Sequence, residues 1–142
     1  MTIKDELWKH IGPTVEPLSS DSYIIKTDKS EKTWIFDVGS NSDAMETLSS
    51  HPSHKNVIIS HFHDDHTYNL RRVKFDRVYV SAYSAKHIKE CISDYSVVED
   101  DIYIEDGDLK IHIFEIPSSH SKGCLGLEIN EEYAFLGDAA YA

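Results

Sequence analysis

The chain has 142 residues, with 25 acidic against 14 basic side chains and a formal net charge of −11. Its length fits one domain with a real hydrophobic core, so residues 1–142 are expected to form a single unit. The acid excess argues against a nucleic-acid partner and against docking on an anionic membrane. No apolar run approaches the roughly 18 residues that a membrane span needs. Nine histidines stand out in this composition.

The N-terminal residues and the cysteines predict a cytoplasmic protein. Charged side chains interrupt the first ten residues, MTIKDELWKH, which therefore lack the apolar core of a secretory signal. Cys91 and Cys124 are the only cysteines. Two thiols so far apart do not form a disulfide framework, and we expect both to be reduced.

The predicted elements, taken in chain order, indicate a mixed α/β domain. Ile3, Leu7, Trp8 and Ile11 have helical spacing and predict a short N-terminal helix or turn. Ser42 is the expected N-cap of the next helix. Strands are predicted at 22–27, 33–38, 56–60, 77–80, 102–104, 109–116, 125–129 and 133–136, and further helices at 42–49, 67–71 and 82–91.

A histidine- and aspartate-rich segment directly follows the apolar strand at 56–60. It reads His61-Phe62-His63-Asp64-Asp65-His66. Where a strand runs into a loop, side chains i and i+2 lie on one side, so His61 and His63 can share one metal ion. Asp65 and His66 can then point to a second ion nearby. The alternative is a polar surface loop, but so many ligand-type residues at the end of a buried strand favour metal binding.

This segment resembles the HxHxDH signature of the metallo-β-lactamase fold hydrolases. Three more segments resemble motifs of that family and come in the family's order. They are the D-x-G at a strand end (Phe36-Asp37-Val38-Gly39), the segment that carries a further histidine ligand (Ser119-His120-Ser121-Lys122-Gly123-Cys124-Leu125-Gly126), and the G-D pair (Gly137-Asp138).

The resemblance implies an αββα sandwich with two divalent metal ions at one edge between the sheets. Zinc is the expected metal, with iron or manganese as alternatives. By position, the implied ligands are His61, His63 and His120 for the first ion, Asp65 and His66 for the second, and Asp138 as the bridge.

The resemblance also implies a hydrolase acting on a small-molecule ester, thioester, lactone or phosphoester. Two divalent ions hold a hydroxide near neutral pH, so no serine or cysteine nucleophile is needed. Asp65 would orient that hydroxide. Asp37 would hold the histidine loop through hydrogen bonds, or would simply be the turn residue before Gly39.

Departures from the family pattern leave two other functions open. The family has a further histidine ligand after the G-D pair, whereas no histidine follows His120 here. We therefore expect a domain that lacks its C-terminal elements and a weaker second metal site. One alternative is a mononuclear iron enzyme resembling the persulfide dioxygenases, with His61, His120 and Asp138 as ligands. The other is an inactive metal-binding fragment or interaction module. His63, where the di-iron flavoprotein branch has Glu, argues against that branch.

Overall fold

A computed structural model describes residues 8–16, 18–51, 54–88, 95–116 and 123–137 of the chain. Among these residues no helix is both long and apolar enough to cross a membrane. The strands are β1 (Trp8–Ile11), β2 (Thr14–Val15), β3 (Leu18–Ser19), β4 (Ser22–Ile25), β5 (Lys32–Phe36), β6 (His54–Ile58), β7 (Arg77–Ser81), β8 (Ser96–Val98), β9 (Ile102–Asp106), β10 (Leu109–Ile116), β11 (Cys124–Ile129) and β12 (Tyr133–Phe135). The helices are α1 (Ser42–Ser50), α2 (Asp64–Thr67), which continues into a 3-10 turn (Tyr68–Arg71), and α3 (Ala82–Ile88).

The larger sheet has six strands in the order β1-β4-β5-β6-β7-β8. Strands β1, β4 and β5 pair antiparallel, whereas β5, β6, β7 and β8 pair parallel. Val57, Ile58 and Ile59, in the apolar run predicted as a strand at 56–60, are fully buried, as expected for a strand covered on both faces. Parallel pairing brings the carboxyl ends of β5, β6 and β7 to one edge of the sheet, where the histidine segment begins.

The second sheet is antiparallel, in the order β12-β11-β10-β9, and packs on one face of the larger sheet. Alternate residues of its strands point into the shared core, as the period of a half-buried strand requires. Buried side chains between the two sheets include Trp34, Phe36 and Ile58 from the larger sheet and Ile111, Ile113, Leu127 and Ile129 from the smaller one.

The helices cover the other face of the larger sheet. Leu48 of α1 and Ile88 of α3 pack there against Ile35 and Val57. Helix α1 begins with Asn41, whose side chain accepts a hydrogen bond from the Ala44 backbone N–H at 2.8 Å. The prediction of Ser42 as the N-cap was therefore wrong by one residue, because an asparagine amide oxygen caps as well as a serine hydroxyl does.

The predicted N-terminal helix is wrong where the structure describes it. Trp8–Ile11 is an edge strand, paired antiparallel with β4 so that Trp8 lies opposite Ile25 and Ile11 opposite Ser22. A helix of only a few residues is marginally stable by itself, whereas pairing with the edge of β4 gives this segment backbone hydrogen bonds.

The described residues form three successive layers, helices, sheet and sheet, and this confirms the predicted mixed α/β architecture. The outer face of the second sheet carries His112, whose neighbours Ile111 and Ile113 are buried. The His112 ring lies flat against exposed Tyr103, with centroids 4.3 Å apart.

Asp106, at the end of β9, joins the second sheet to the first. Its carboxylate accepts hydrogen bonds from the backbone N–H of Glu31 at 2.7 Å and of Lys32 at 3.0 Å, and from Trp34 Nε1 at 2.9 Å. Burial alone would raise the pKa of Asp106, but the three N–H donors favour the charged form, and the net effect lowers the pKa. The ionised carboxylate therefore stabilises the contact between the sheets.

We expect Asp106→Asn to lower the free energy of unfolding by about 1–3 kcal/mol at pH 7, because an amide N–H would face at least one donor that the carboxylate now satisfies. Because the folded-state pKa of Asp106 lies below its ordinary value, the ionised carboxylate stabilises the fold at every pH above that ordinary value. This stabilisation is lost as the pH falls through the lowered pKa. The deficit should therefore shrink in urea unfolding measured near pH 3. Asp100→Asn, at an exposed position, is the control. An equal deficit at both pH values would contradict the prediction.

Candidate metal centre

The candidate site lies where β5 and β6 end side by side. Phe36 and Ile58 are partners in the parallel register, so Asp37 and the segment from Ser60 onward leave the sheet together. The Asp37 backbone N–H donates to Ile58 O at 2.9 Å. Asp37 adopts φ +60°, a left-handed conformation that Asp tolerates better than most residues.

Backbone hydrogen bonds fix the histidine segment to the loop after β5. Val38 N–H donates to His66 O at 3.0 Å, and Ser20 N–H donates to Asp65 O at 2.8 Å. Asn69 is fully buried, and its amide donates to Val38 O at 2.9 Å and to Asn41 O at 3.1 Å. The two loops thus form one rigid unit.

The Asp37 carboxylate lies at the centre of a buried polar network. It accepts from the Ser60 backbone N–H at 2.7 Å, from Ser60 Oγ at 2.6 Å and from His66 Nδ1 at 2.7 Å. Ser60 Oγ also lies 3.0 Å from His61 Nδ1. All four side chains are almost completely buried, so each of these hydrogen bonds acts in a medium of low polarity.

This network assigns the tautomer of two histidines. A carboxylate only accepts, so neutral His66 carries its hydrogen on Nδ1. Ser60 gives its one hydroxyl hydrogen to Asp37, so its oxygen accepts from His61, which also carries its hydrogen on Nδ1. The Nε2 atoms of His61 and His66 are consequently lone-pair donors, the form in which imidazole binds a metal.

The four described candidate ligands form two adjacent pairs. His61 Nε2 and His63 Nδ1 are 3.1 Å apart, and Asp65 Oδ2 and His66 Nε2 are 3.4 Å apart. Two ligands at about 2.0–2.1 Å from a tetrahedral zinc ion would be separated by about 3.3 Å, so both pairs fit a shared cation. The His61 and His66 rings have centroids 4.1 Å apart and place the pairs side by side.

A complete ligand set is not present among the described residues. Within 8–16, 18–51, 54–88, 95–116 and 123–137, no group of three or more His, Cys, Asp or Glu side chains is arranged to hold a metal ion. His120 and Asp138 lie outside these residues. Gly137 is described and lies against the network, since a Cβ added to it would be 2.9 Å from Ser60 Oγ.

Sequence reasoning missed Ser60 and Asn69. Ser60 ends an otherwise apolar strand, and a polar residue at that point is the one signal that could have indicated it. Asn69 stands three residues after His66. Its role depends on the distant carbonyls of Val38 and Asn41, which no local pattern indicates.

The chain belongs to the metallo-β-lactamase superfamily. The sequence profile of that superfamily matches residues 15–142, which is most of the chain and includes all four motif segments. No curated protein sequence matches the chain.

Solved structures show the same fold at low sequence identity. MEM-A1, a subclass B3 metallo-β-lactamase from a soil metagenome library, superposes with a TM-score of 0.64 at 15% identity, over 78% of this chain and 51% of that one. The flavodiiron protein of Giardia intestinalis superposes with a TM-score of 0.65 at 17% identity, over 82% of this chain and 32% of that one. A Cronobacter sakazakii metallo-β-lactamase with a HARLDQ motif superposes with a TM-score of 0.63 at 13% identity, over 78% of this chain and 48% of that one. The chain thus spans about half the length of the two lactamases and about a third of the flavodiiron protein, and the likeness concerns the fold.

Proposed function

We propose that this chain is a metal-dependent hydrolase of a small ester, thioester, lactone or phosphoester. The observation that carries the proposal is the pair of ring nitrogens, His61 Nε2 and His63 Nδ1, which face each other at 3.1 Å. The second pair, Asp65 and His66, lies beside it. Nitrogen and carboxylate donors in this combination suit zinc, with iron and manganese as further candidates.

The proposed ligand roles follow the family motifs. His61, His63 and His120 would hold one divalent ion and Asp65 and His66 a second, with Asp138 as a ligand shared by both. When bound, divalent ions at these positions lower the pKa of a coordinated water toward neutrality and polarise the oxygen of the scissile group.

The chain's own residues orient this site. In the neutral rings, hydrogen bonds to Asp37 and Ser60 place the hydrogen of His66 and His61 on Nδ1, which leaves Nε2 as the metal-binding nitrogen. Asp65 is partly exposed, with 22% of its side chain accessible, so one carboxylate can contact both an ion and an attacking water. His61 and His66 are buried, so bulk water has little access to their rings.

The test is metal analysis combined with hydrolysis assays on the purified chain. We expect one to two zinc ions per chain after dialysis, turnover of at least one member of an ester, thioester, lactone and phosphoester panel, and loss of that turnover with a chelator. Zinc should restore it and calcium, which prefers oxygen ligands, should not. Full activity without metal would overturn the proposal. One iron per chain with oxygen consumption on a persulfide would support the dioxygenase-like alternative instead, and bound metal without turnover would indicate an inert module.

A further inference from the structure

An aromatic cluster adjoins the first pair of candidate ligands. Phe62, between the two histidines of the motif, lies face to face with His87 of α3, with ring centroids 4.0 Å apart and planes inclined by 19°. Tyr83 lies one helical turn before His87 and contacts both rings, at 5.8 Å from Phe62 and 5.2 Å from His87. We call Phe62, Tyr83 and His87 the aromatic wall.

The wall reaches the candidate site through His63. The edge of one ring meets the face of the other between Phe62 and His63, with centroids 4.8 Å apart and planes at 80°. Tyr83 also borders the start of β11, since a Cβ added to Gly123 would lie 2.8 Å from the Tyr83 Cβ. The wall is thus fixed on both sides, by α3 and by the chain entering the second sheet.

The wall lies at the border between the core and solvent, since Phe62 packs against the core cluster beneath the helices while part of the wall remains accessible. Phe62 and Tyr83 are only partly buried, and His87 is exposed although its ring is stacked. Flat rings next to a reactive centre that remain accessible to solvent offer a surface on which another planar or apolar group can stack.

We propose that the aromatic wall binds a planar apolar group of the substrate and selects aromatic over small aliphatic acyl groups. This inference rests on the proposed hydrolase function. A thioester is the simplest case: water adds to the carbonyl carbon, the C–S bond breaks, and the carboxylic acid and the thiol leave. With the carbonyl beside His61 and His63, an acyl group that extends past His63 would reach the aromatic wall, because the Phe62 ring contacts His63 with centroids 4.8 Å apart.

The test compares the S-acetyl and S-benzoyl esters of 2-mercaptoethanol on the zinc-loaded protein. We expect the benzoyl ester to have the higher kcat/KM. His87→Ala and Phe62→Leu should reduce the benzoyl-to-acetyl ratio about three- to tenfold, the usual worth of one aromatic contact. His87 is exposed on a helix, so alanine there should not disturb folding. Lys86→Ala, at the exposed neighbouring position of the same helix, is the matched control and should leave the ratio unchanged.

A second measurement needs neither metal nor turnover. Benzyl alcohol titrated into the metal-free protein should shift the NMR signals of the Tyr83 and His87 rings saturably at millimolar concentration, and more weakly in Phe62→Leu. Saturable binding without hydrolysis of either ester would support the wall and count against the proposed function. Hydrolysis of both esters with the same ratio in wild type and His87→Ala would overturn the wall alone. Absence of both binding and selectivity would overturn it as well.

Discussion

His61→Ala should abolish hydrolysis and remove one metal ion from the chain. The substitution deletes one of two nitrogens that face each other at 3.1 Å. Loss of a hydrogen-bonding partner of a metal ligand already costs about 10–100-fold in affinity or activity, so loss of the ligand itself should cost at least about a hundredfold. Metal stoichiometry after dialysis and kcat/KM on the substrate found active would measure both effects.

His61 is fully buried, so its truncation could also weaken the fold. His61→Asn separates the two effects, because its amide N–H can replace Nδ1–H as donor to Ser60 Oγ while no atom occupies the position of Nε2. His54→Ala changes a histidine whose side chain is 74% exposed and paired with Asp76, and it serves as the control. An asparagine variant that keeps full metal content and activity would rule out His61 as a ligand.

The sequence predicted most of the architecture because its strands carry strong signals. The strands at 56–60 and 109–116 combine apolar runs or strict alternation with burial that the structure confirms. The strands β2, β3 and β8 were not predicted. With two residues each, β2 and β3 are too short to show a period. The N-terminal strand was mistaken for a helix, since its structure is imposed by pairing with β4.

In the candidate site, too, some features follow from local sequence spacing and others only from contacts between distant residues. The spacing His61-x-His63 is local, and the structure places those two rings together as a strand end should. The position of Asp37 beside Ser60 and His66 depends on parallel pairing across 23 and 29 residues of sequence separation. Sequence could suggest a supporting role for Asp37 but not its partners, because only the register of β5 with β6 determines them.

Asp37→Asn should weaken metal binding about 10–100-fold while the fold remains intact. Asparagine tolerates the left-handed φ of +60° at this position as well as aspartate does. Its amide nitrogen, however, donates where the carboxylate oxygen accepted. His66 Nδ1 must then accept, which moves the His66 hydrogen to Nε2 and blocks the atom that faces Asp65.

The same exchange should pass through Ser60 to His61. An amide N–H that donates to Ser60 Oγ frees the hydroxyl hydrogen, which can then be donated to His61 Nδ1 at 3.0 Å, and His61 in turn carries its hydrogen on Nε2. Every group in the network keeps a partner, so thermal unfolding of the metal-free chain should change little while both histidines lose their metal-binding tautomer. Nitrogen chemical shifts of the imidazole rings report the tautomer without any metal. The reference for the relay is Ser60→Ala, which removes the hydroxyl between Asp37 and His61. Adding Asp37→Asn to Ser60→Ala should still change the His66 tautomer but should leave the His61 ring nitrogen shifts as they are in Ser60→Ala alone. Unchanged ring nitrogen shifts in Asp37→Asn alone would show that Asp37 does not set the tautomer.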